Sequence, residues 1–476
     1  IWVATYDGLV RLEGDNQALI PNLPHNRTGS IDKDSEGNIW AGTYSGGLAK
    51  LKKTKFLSYT TEAGLVNPVV NTIIEGQNND VWIGTNQGIS LLKDGKFTNF
   101  TTDDGLAGAR IRDLFLAKDR VWIATYGGVS YYQNGKIHPF EGNSALKDVR
   151  IRAVYYDEKT KDLWLGSTHG LHRYTSKKEM FIYGDKELGN SNIMSINPTQ
   201  EGLAIGTDGG GLILYKDGEF KRLMTNDGLG GNVVFDVYGD EQNNLWISTN
   251  GGLTLKKGDK ITVFKMSDGL CSNTTFQTLE DQEGKLWFTS NKYIFNLPKQ
   301  DLLDFALGKK DKLKPAIFTS NDGLPSNLTG AAKGMKTKEG WLAFPCLKGA
   351  AFIKPSEIKL NPNPPRIYIE QVSLDGELTE YIENGMDLKI LPDTRHITIS
   401  YTALSHSAPQ KVQFKYRLYP FEKEWRETNT REVNYTSLPV GKYTFELMAA
   451  NGDGIWTEKP FEIKLQQKGH LYKNPV

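Results

Sequence analysis

The chain has 476 residues, 38% hydrophobic and 24% charged, an ordinary globular composition with room for two to four domains, which excludes a disordered, collagen-like or membrane-bundle protein. Fifty-seven Lys and Arg against 56 Asp and Glu leave a formal charge of +1, so no overall field draws nucleic acid or an anionic membrane to the surface. Forty-nine Gly with 10 Trp, 21 Tyr and 20 Phe describe tight turns joining aromatic strands, an all-β composition. Cys271 and Cys346 are too few for a disulfide framework and lack metal-ligand spacing, leaving a single bridge open. No run of 18 apolar residues exists, so no helix here spans a bilayer, and a start at Ile1 without Met or signal peptide suggests a piece of a longer polypeptide.

The segments IWVATYDGLVRL, IWAGTYSGGLAKL, VWIGTNQGISLL, VWIATYGGVSYY, LWLGSTHGLHRY, LAIGTDGGGLILY, LWISTNGGLTL and LWFTSNKYIFNL align on Trp2, Trp40, Trp82, Trp122, Trp164, Ala204, Trp246 and Trp287, 38 to 42 residues apart. A ninth, degraded copy carries Trp341 after a gap of 54. A second landmark, typified by NDGL, sets leucines at 65, 106, 146, 188, 229, 270 and 324 with the same period and the same insertion. Each period reads as four short antiparallel strands, the size of a β-propeller blade. The insertion KQDLLDFALGKKDKLK reads as a short helix or loop outside the strands.

Nine second strands exceed one ordinary ring. The preferred reading is a seven-bladed propeller over 76–361 preceded by the last blades of another propeller over 1–75. A single ring of eight or nine blades is the alternative. From Pro362 the period stops at NPNPP, and RIYIEQVSL, HITISYTAL, VQFKYRLY, REVNYTSL, KYTFELMAAN and FEIKLQ read as an immunoglobulin-like β-sandwich over 362–466. Phe414, Tyr416, Trp425, Tyr435, Tyr443, Phe445 and Trp456 are spaced for a shared core.

The W-x-G-T-x-x-G-L and D-G-L repeats, followed by F-x-Y-x-L, Trp425, Y-x-x-L-P-x-G-x-Y-x-F and A-N-x-x-G-x-W, resemble two-component regulator propeller repeats and the three-tyrosine domain that follows them. Tyr416, Tyr435 and Tyr443 stand where that family's tyrosines would, with Asn451, Gly454 and Trp456 closing the motif. The pattern departs at Ala204, in place of Trp, and in the ninth repeat. The resemblance implies the periplasmic sensor region of a bacterial membrane signalling protein, most often a histidine kinase, with 467–476 leading toward a transmembrane helix. It also implies a homodimer formed through the sandwich.

No catalytic cluster is legible. The seven histidines are scattered, His169 and His172 flank a turn, and no Walker loop, H-E-x-x-H or G-x-S-x-G occurs. Stretches such as DSEGN and DQEGK read as β-turns rather than calcium loops. The expectation is a fragment without catalytic residues, metal or cofactor.

Comparison of the repeats points to one rim, where the turn after the second strand meets the loop entering the inner strand. Tyr6, Tyr44, Asn86, Tyr126, His169, Asp208, Asn250 and Asn291 follow the G-T turns, a mixture of flat rings, amides and carboxylates suited to sugars. Arg110 and Arg112 in ARIRDL, with Arg150 and Arg152 in VRIRAV, occupy equivalent positions in adjacent repeats, each pair on one strand face. Guanidinium forks suit a carboxylate or sulfate, so an acidic oligosaccharide is one ligand class. Pairing with Asp113, Asp148 or Asp157 is the competing account. The candidate ligand residues are therefore Tyr44, Tyr126, His169, Asp208, Arg110, Arg112, Arg150 and Arg152. A sensor of a small molecule or oligosaccharide is expected, against a protein-binding scaffold or a propeller lyase.

Overall fold

A computed structural model describes residues 1–21, 23–379 and 381–469. They fall into two compact units, one of residues 54–358 and one combining 1–53 with the segment from 359 onward.

In the larger unit, seven four-stranded antiparallel sheets are the blades. Their innermost strands, Val70–Glu75, Ile111–Leu116, Ile151–Asp157, Ile193–Thr199, Val234–Gly239, Gln277–Glu280 and Met335–Lys336, touch in succession, and the last touches the first. This is a closed seven-bladed ring. Its seventh sheet takes three strands from residues 335–353 and its outermost strand from Leu57–Tyr59, with Ser58 opposite Ala351. The ring therefore begins at residue 54 and not at 76: Leu57–Tyr59 and Val70–Glu75, assigned in advance to a preceding propeller, are part of it. A ring of eight or nine blades does not form.

Alternating apolar residues bury both faces of each blade, and the tryptophans fill the gaps. Trp246 and Trp287 are fully buried. Their indole N–H groups donate to Asp240 and Asp281 at 3.1 and 2.7 Å. The same carboxylates accept backbone N–H groups across the turn, from Asn244 and Lys285, which accounts for DQEGK and its counterparts as turns that hold a tryptophan. The insertion forms a helix, Lys299–Ala306, whose Leu302 packs with Leu313 in an interblade core. Cys271 and Cys346 are both free thiols, pushed up to about 12 by burial.

One buried charge cluster links distant blades. The Lys333 ammonium lies 3.1 Å from an Asp113 carboxylate oxygen, which also accepts the Val154 backbone N–H at 3.0 Å. Lys333 belongs to the seventh blade and Asp113 to the second, so the contact reaches past the first. Asp236 of the fifth blade interacts with both.

In the smaller unit, residues 1–53 form two three-stranded sheets. The second is tied to the C-terminal domain: Glu36 accepts the backbone N–H groups of His406 and Ser407 at 2.9 and 2.6 Å, and Lys50 donates to the His406 carbonyl at 2.7 Å. The C-terminal domain is a sandwich of one four-stranded and one five-stranded sheet. Phe414, Tyr435, Tyr443 and Phe445 lie in its core, with Tyr416 packed against it. Tyr435 donates to the buried Glu422 at 3.0 Å and Tyr443 to the Pro439 carbonyl at 2.8 Å. Trp425 and Trp456 depart from the expected shared core: both are half-buried, with the Lys415 ammonium 5.3 and 4.6 Å from their rings. Asn451 donates to the carbonyls of Asn361 and Asn363, both at 2.8 Å, anchoring the proline-rich boundary segment. The expected approach to a membrane over 467–476 lies mostly outside the described residues.

Burial pushes the Asp236 carboxyl up from 3.8 to about 6, against the lowering influence of Lys333. A carboxyl raised by folding favours the native state while protonated. Its contribution is complete below the unfolded value and is lost as pH rises through about 6. We expect Asp236→Asn to flatten the fall in melting temperature between about pH 4 and about pH 6, a difference on the order of 3 kcal/mol at most. Thermal denaturation of both proteins across that range checks it, and parallel pH profiles refute it.

Candidate ligand-binding face of the ring

The rim is built by a repeated hydrogen bond. In the first five blades the backbone N–H after the second strand donates to the carbonyl just before the inner strand: Asn86 to Val69 at 3.1 Å, Tyr126 to Arg110 at 3.3 Å, Thr168 to Arg150 at 3.3 Å, Asp208 to Asn192 at 2.9 Å and Asn250 to Val233 at 3.2 Å. The pattern corrects the sequence alignment of the third blade. Thr168, not His169, stands where Tyr126 does, because LGST carries its turn one residue earlier than the reading on His169 assumed. By strand register Asn291 is likewise displaced, and Ser290 holds the position in the sixth blade. Tyr44 makes the same bond to Arg27 at 2.9 Å, but in the smaller unit. Its ring lies 4.2 Å from the Arg27 guanidinium carbon of the same unit.

The four arginines do converge, by a device the strand pleat does not provide. The inner strands start at Ile111 and Ile151, and the pairing slips between Ile111 and Asp113 and between Ile151 and Ala153. Arg112 and Arg152 are thus the extra residues of β-bulges, which re-aim side chains. Arg110 and Arg150 precede their strands. The guanidinium carbons of Arg110, Arg112 and Arg150 lie 5.0, 5.7 and 5.6 Å from the centroid of the Tyr126 ring. Arg152 turns toward the fourth blade, donating to Asn192 Oδ1 at 2.8 Å and lying 3.8 Å from Asp208 Oδ2. Asn192 in turn donates to Asp208 at 3.0 Å.

Charge at this place is unbalanced. Asp113, one expected partner of the arginines, is engaged by Lys333. Among the described residues Arg110 and Arg150 form no ion pair, and the Nε atoms of Arg112 and Arg152 are buried without a hydrogen-bond partner. Burial, with Arg110 and Arg152 nearby, lowers the Arg112 pKa. Burial raises the phenol of Tyr126, but Arg112 and Arg152 outweigh it, so its pKa falls below the usual tyrosine value. Such a cluster stabilises an anion.

The histidines do not form a site with it. His169 is exposed, with its Nδ1 2.9 Å from the Thr168 hydroxyl. His172 is buried, 3.0 Å from the Ser167 hydroxyl, and burial takes its pKa down from 6.5 to about 4. Among the described residues no group of three or more His, Cys, Asp and Glu could hold a metal ion. The contribution of Asn192 was not legible in the repeats, since it depends on the bulge that sends Arg152 to the next blade.

Comparison with known proteins places this geometry. Residues 405–466 match the Y_Y_Y domain, and residues 22–45 and 228–251 match the two component regulator propeller. Histidine kinase P4 of Formosa agariphila is 23% identical over 328 residues, 65% of this chain and 20% of the kinase. The crystal structure of the extracellular domain of BT3049, assigned to a hybrid two component system of B. thetaiotaomicron, superposes with a TM-score of 0.80 at 23% identity, covering 98% of this chain and 66% of that one. The extracellular domain of BT4673 from the same organism follows with a TM-score of 0.54 at 17% identity over 99% of this chain and 67% of that one. The chain spans about a fifth of the length of the kinase and about two thirds of the BT3049 domain. It carries two component regulator propeller repeats and a Y_Y_Y domain.

Proposed function

We propose that this chain is the periplasmic ligand-sensing region of a membrane-bound bacterial signalling protein, and that its ring recognises an anionic oligosaccharide or another nutrient bearing a carboxylate or sulfate. The observation that carries the reading is the gathering of Arg110, Arg112 and Arg150 around Tyr126, with Arg110 and Arg150 lacking any acidic partner among the described residues. Three guanidinium groups on one ring repel one another and invite a counter-charge, while the phenol face and the Asn192–Asp208 pair offer stacking and hydrogen bonds to a sugar. The sandwich would pass the signal onward across a homodimer to a cytoplasmic kinase or regulator module. That requires the ligand to bind one arrangement better than another, since equal affinity shifts nothing. The kinase and the extracellular domains reported above support a signalling context. A scaffold that binds another protein through the same rim is the second reading, and the unpaired guanidinium groups of Arg110 and Arg150 favour the first. The lyase reading receives no support from His172, which is enclosed and bonded to Ser167.

Oligogalacturonides and sulfated disaccharides should raise the melting temperature, and the rise should shrink with added salt as a guanidinium-bound anion requires. The Arg110→Ala, Arg150→Ala double variant should weaken the anion by about tenfold to hundredfold per lost charge-assisted contact. Unchanged affinity in calorimetry removes these arginines from the site. For His172, whose pKa is depressed, folding favours the neutral ring, so its contribution is complete above the unfolded value and is lost as pH falls toward about 4. NMR should show the His172 imidazole neutral down to about pH 5, and protonation near neutrality would refute its enclosure.

A further inference from the structure

The tryptophans between blades are covered in a recurring way. Trp82 of the first blade packs against Tyr132 of the second, ring centroids 4.6 Å apart, and Trp164 of the third against Tyr215 of the fourth at 4.9 Å. Tyr174 is the equivalent residue for Trp122: it pairs with Leu163 as Tyr132 pairs with Val121 and Tyr215 with Leu203. Tyr174 nevertheless turns aside. Its ring packs edge-on against Phe140 at 4.9 Å, and its hydroxyl donates to Glu141 at 3.1 Å, a carboxylate also held by Lys178 at 2.8 Å. Over Trp122 a cavity of about 400 Å³ opens between the second and third blades, with Tyr131, Phe140 and Tyr156 among its walls.

A second departure from the repeat falls on the same tryptophan. Ala117 makes the turn bond of Asp240 and Asp281, its N–H donating to the Arg120 carbonyl at 2.9 Å as theirs donate across their own turns. The acceptor that pins Trp246 and Trp287 is therefore missing. Trp122 is 6% exposed, and its indole N–H is buried with no hydrogen-bond partner, a condition that costs about 1–3 kcal/mol.

We propose that this cavity is a second binding site and that it takes a neutral pyranose unit. Its volume suits a small ligand. Its aromatic walls offer apolar surface to the C–H face of a sugar ring, from Phe140, Tyr156 and the edge of Tyr131, whose ring already stacks on His138 at 5.2 Å and lies 4.7 Å from the Arg120 guanidinium. Charged ligands are disfavoured by what surrounds it: Arg120, Lys161 and Lys178 repel a cation, yet each already has an acid, Asp119 at 2.8 Å, Glu158 at 2.9 Å and Glu141 at 2.8 Å, so none calls for an anion. These paired charges are ready to exchange hydrogen bonds with hydroxyl groups, which a purely apolar ligand would leave unmet. A small turn of the unpinned indole lets a ligand hydroxyl supply the acceptor that Ala117 does not. The site stands apart from the arginine cluster in position and in ligand charge, so each can fail without the other.

The test uses the 476-residue chain with methyl β-D-glucopyranoside, methyl β-D-galactopyranoside and cellobiose as probes, by saturation-transfer NMR and calorimetry. At least one should bind saturably and with little salt dependence. Tyr131→Ala and, as a second variant with no core role, Arg120→Ala should each weaken it by about tenfold, with melting curves confirming that both fold. The Arg110→Ala, Arg150→Ala variant should bind it unchanged. The proposal is overturned if no pyranoside saturates up to about 50 mM, if affinity survives both cavity variants, or if only glucuronate or inorganic phosphate binds.

Discussion

Every blade of the ring is a sheet with two apolar faces, and a sheet of that kind can be buried only between two others. From that constraint follows the need for closure: the seventh blade must meet the first, or one interblade core stays open to water. The chain meets it by giving the seventh sheet its outer strand, Leu57–Tyr59, from before the first complete blade. The ring is thus fastened by main-chain hydrogen bonds between the two ends of its own segment. Lys333 adds a cross-ring tie, because its contact with Asp113 joins the seventh blade to the second.

The repeat made most of the architecture legible, since Trp and Leu landmarks recur at a period set by blade size. Closure was less legible for a physical reason. An outer strand pairs through its backbone and has little side-chain signature, so LSY reads equally well as the end of a preceding blade or as the fastening of the last. Trp425 and Trp456 misled in another way, since alternation places a ring on a sheet but does not say which face is covered. Lys415 and Arg417 cover part of that outer face and serve it as a core would.

The rim shows where periodicity stops being a guide. Equivalence of Arg110 with Arg150 and of Arg112 with Arg152 was visible in the repeats. Their convergence was not a product of the two-residue pleat. The slip after Ile111 and Ile151 detaches Arg112 and Arg152 from the ladder, leaving Arg112 over Tyr126 of its own blade and sending Arg152 to Asn192 of the next. The same slip carries Asn71 in the first blade, whose amide reaches the Ile111 carbonyl at 2.9 Å, and Met194 in the fourth, whose sulfur lies 2.9 Å from Arg152. One backbone irregularity, repeated around the ring, creates a row of positions whose side chains are free of the sheet and can differ from blade to blade. The misplacement of His169 has a related origin: a one-residue difference in where the turn begins is invisible to an alignment anchored on motif letters, but fixed by which N–H bonds the Arg150 carbonyl.

The smaller unit provides an internal control for the electrostatic argument. There the equivalent residues are Arg27 and Tyr44, with Tyr6 beside them, and the guanidinium lies 4.3 and 4.2 Å from the two ring centroids. Two rings for one cation is a satisfied arrangement, because both quadrupoles face the charge. On the ring the proportion is inverted: Tyr126 alone faces Arg110, Arg112 and Arg150. A single phenol cannot offset three guanidinium charges by cation–π attraction worth about 0.5–2 kcal/mol per contact, and although Arg110 and Arg150 are exposed, Arg112 beside them is largely shielded from water. The same repeat positions therefore hold a balanced contact in one unit and an excess of positive charge in the other, and only the second has an electrostatic reason to take up an anion.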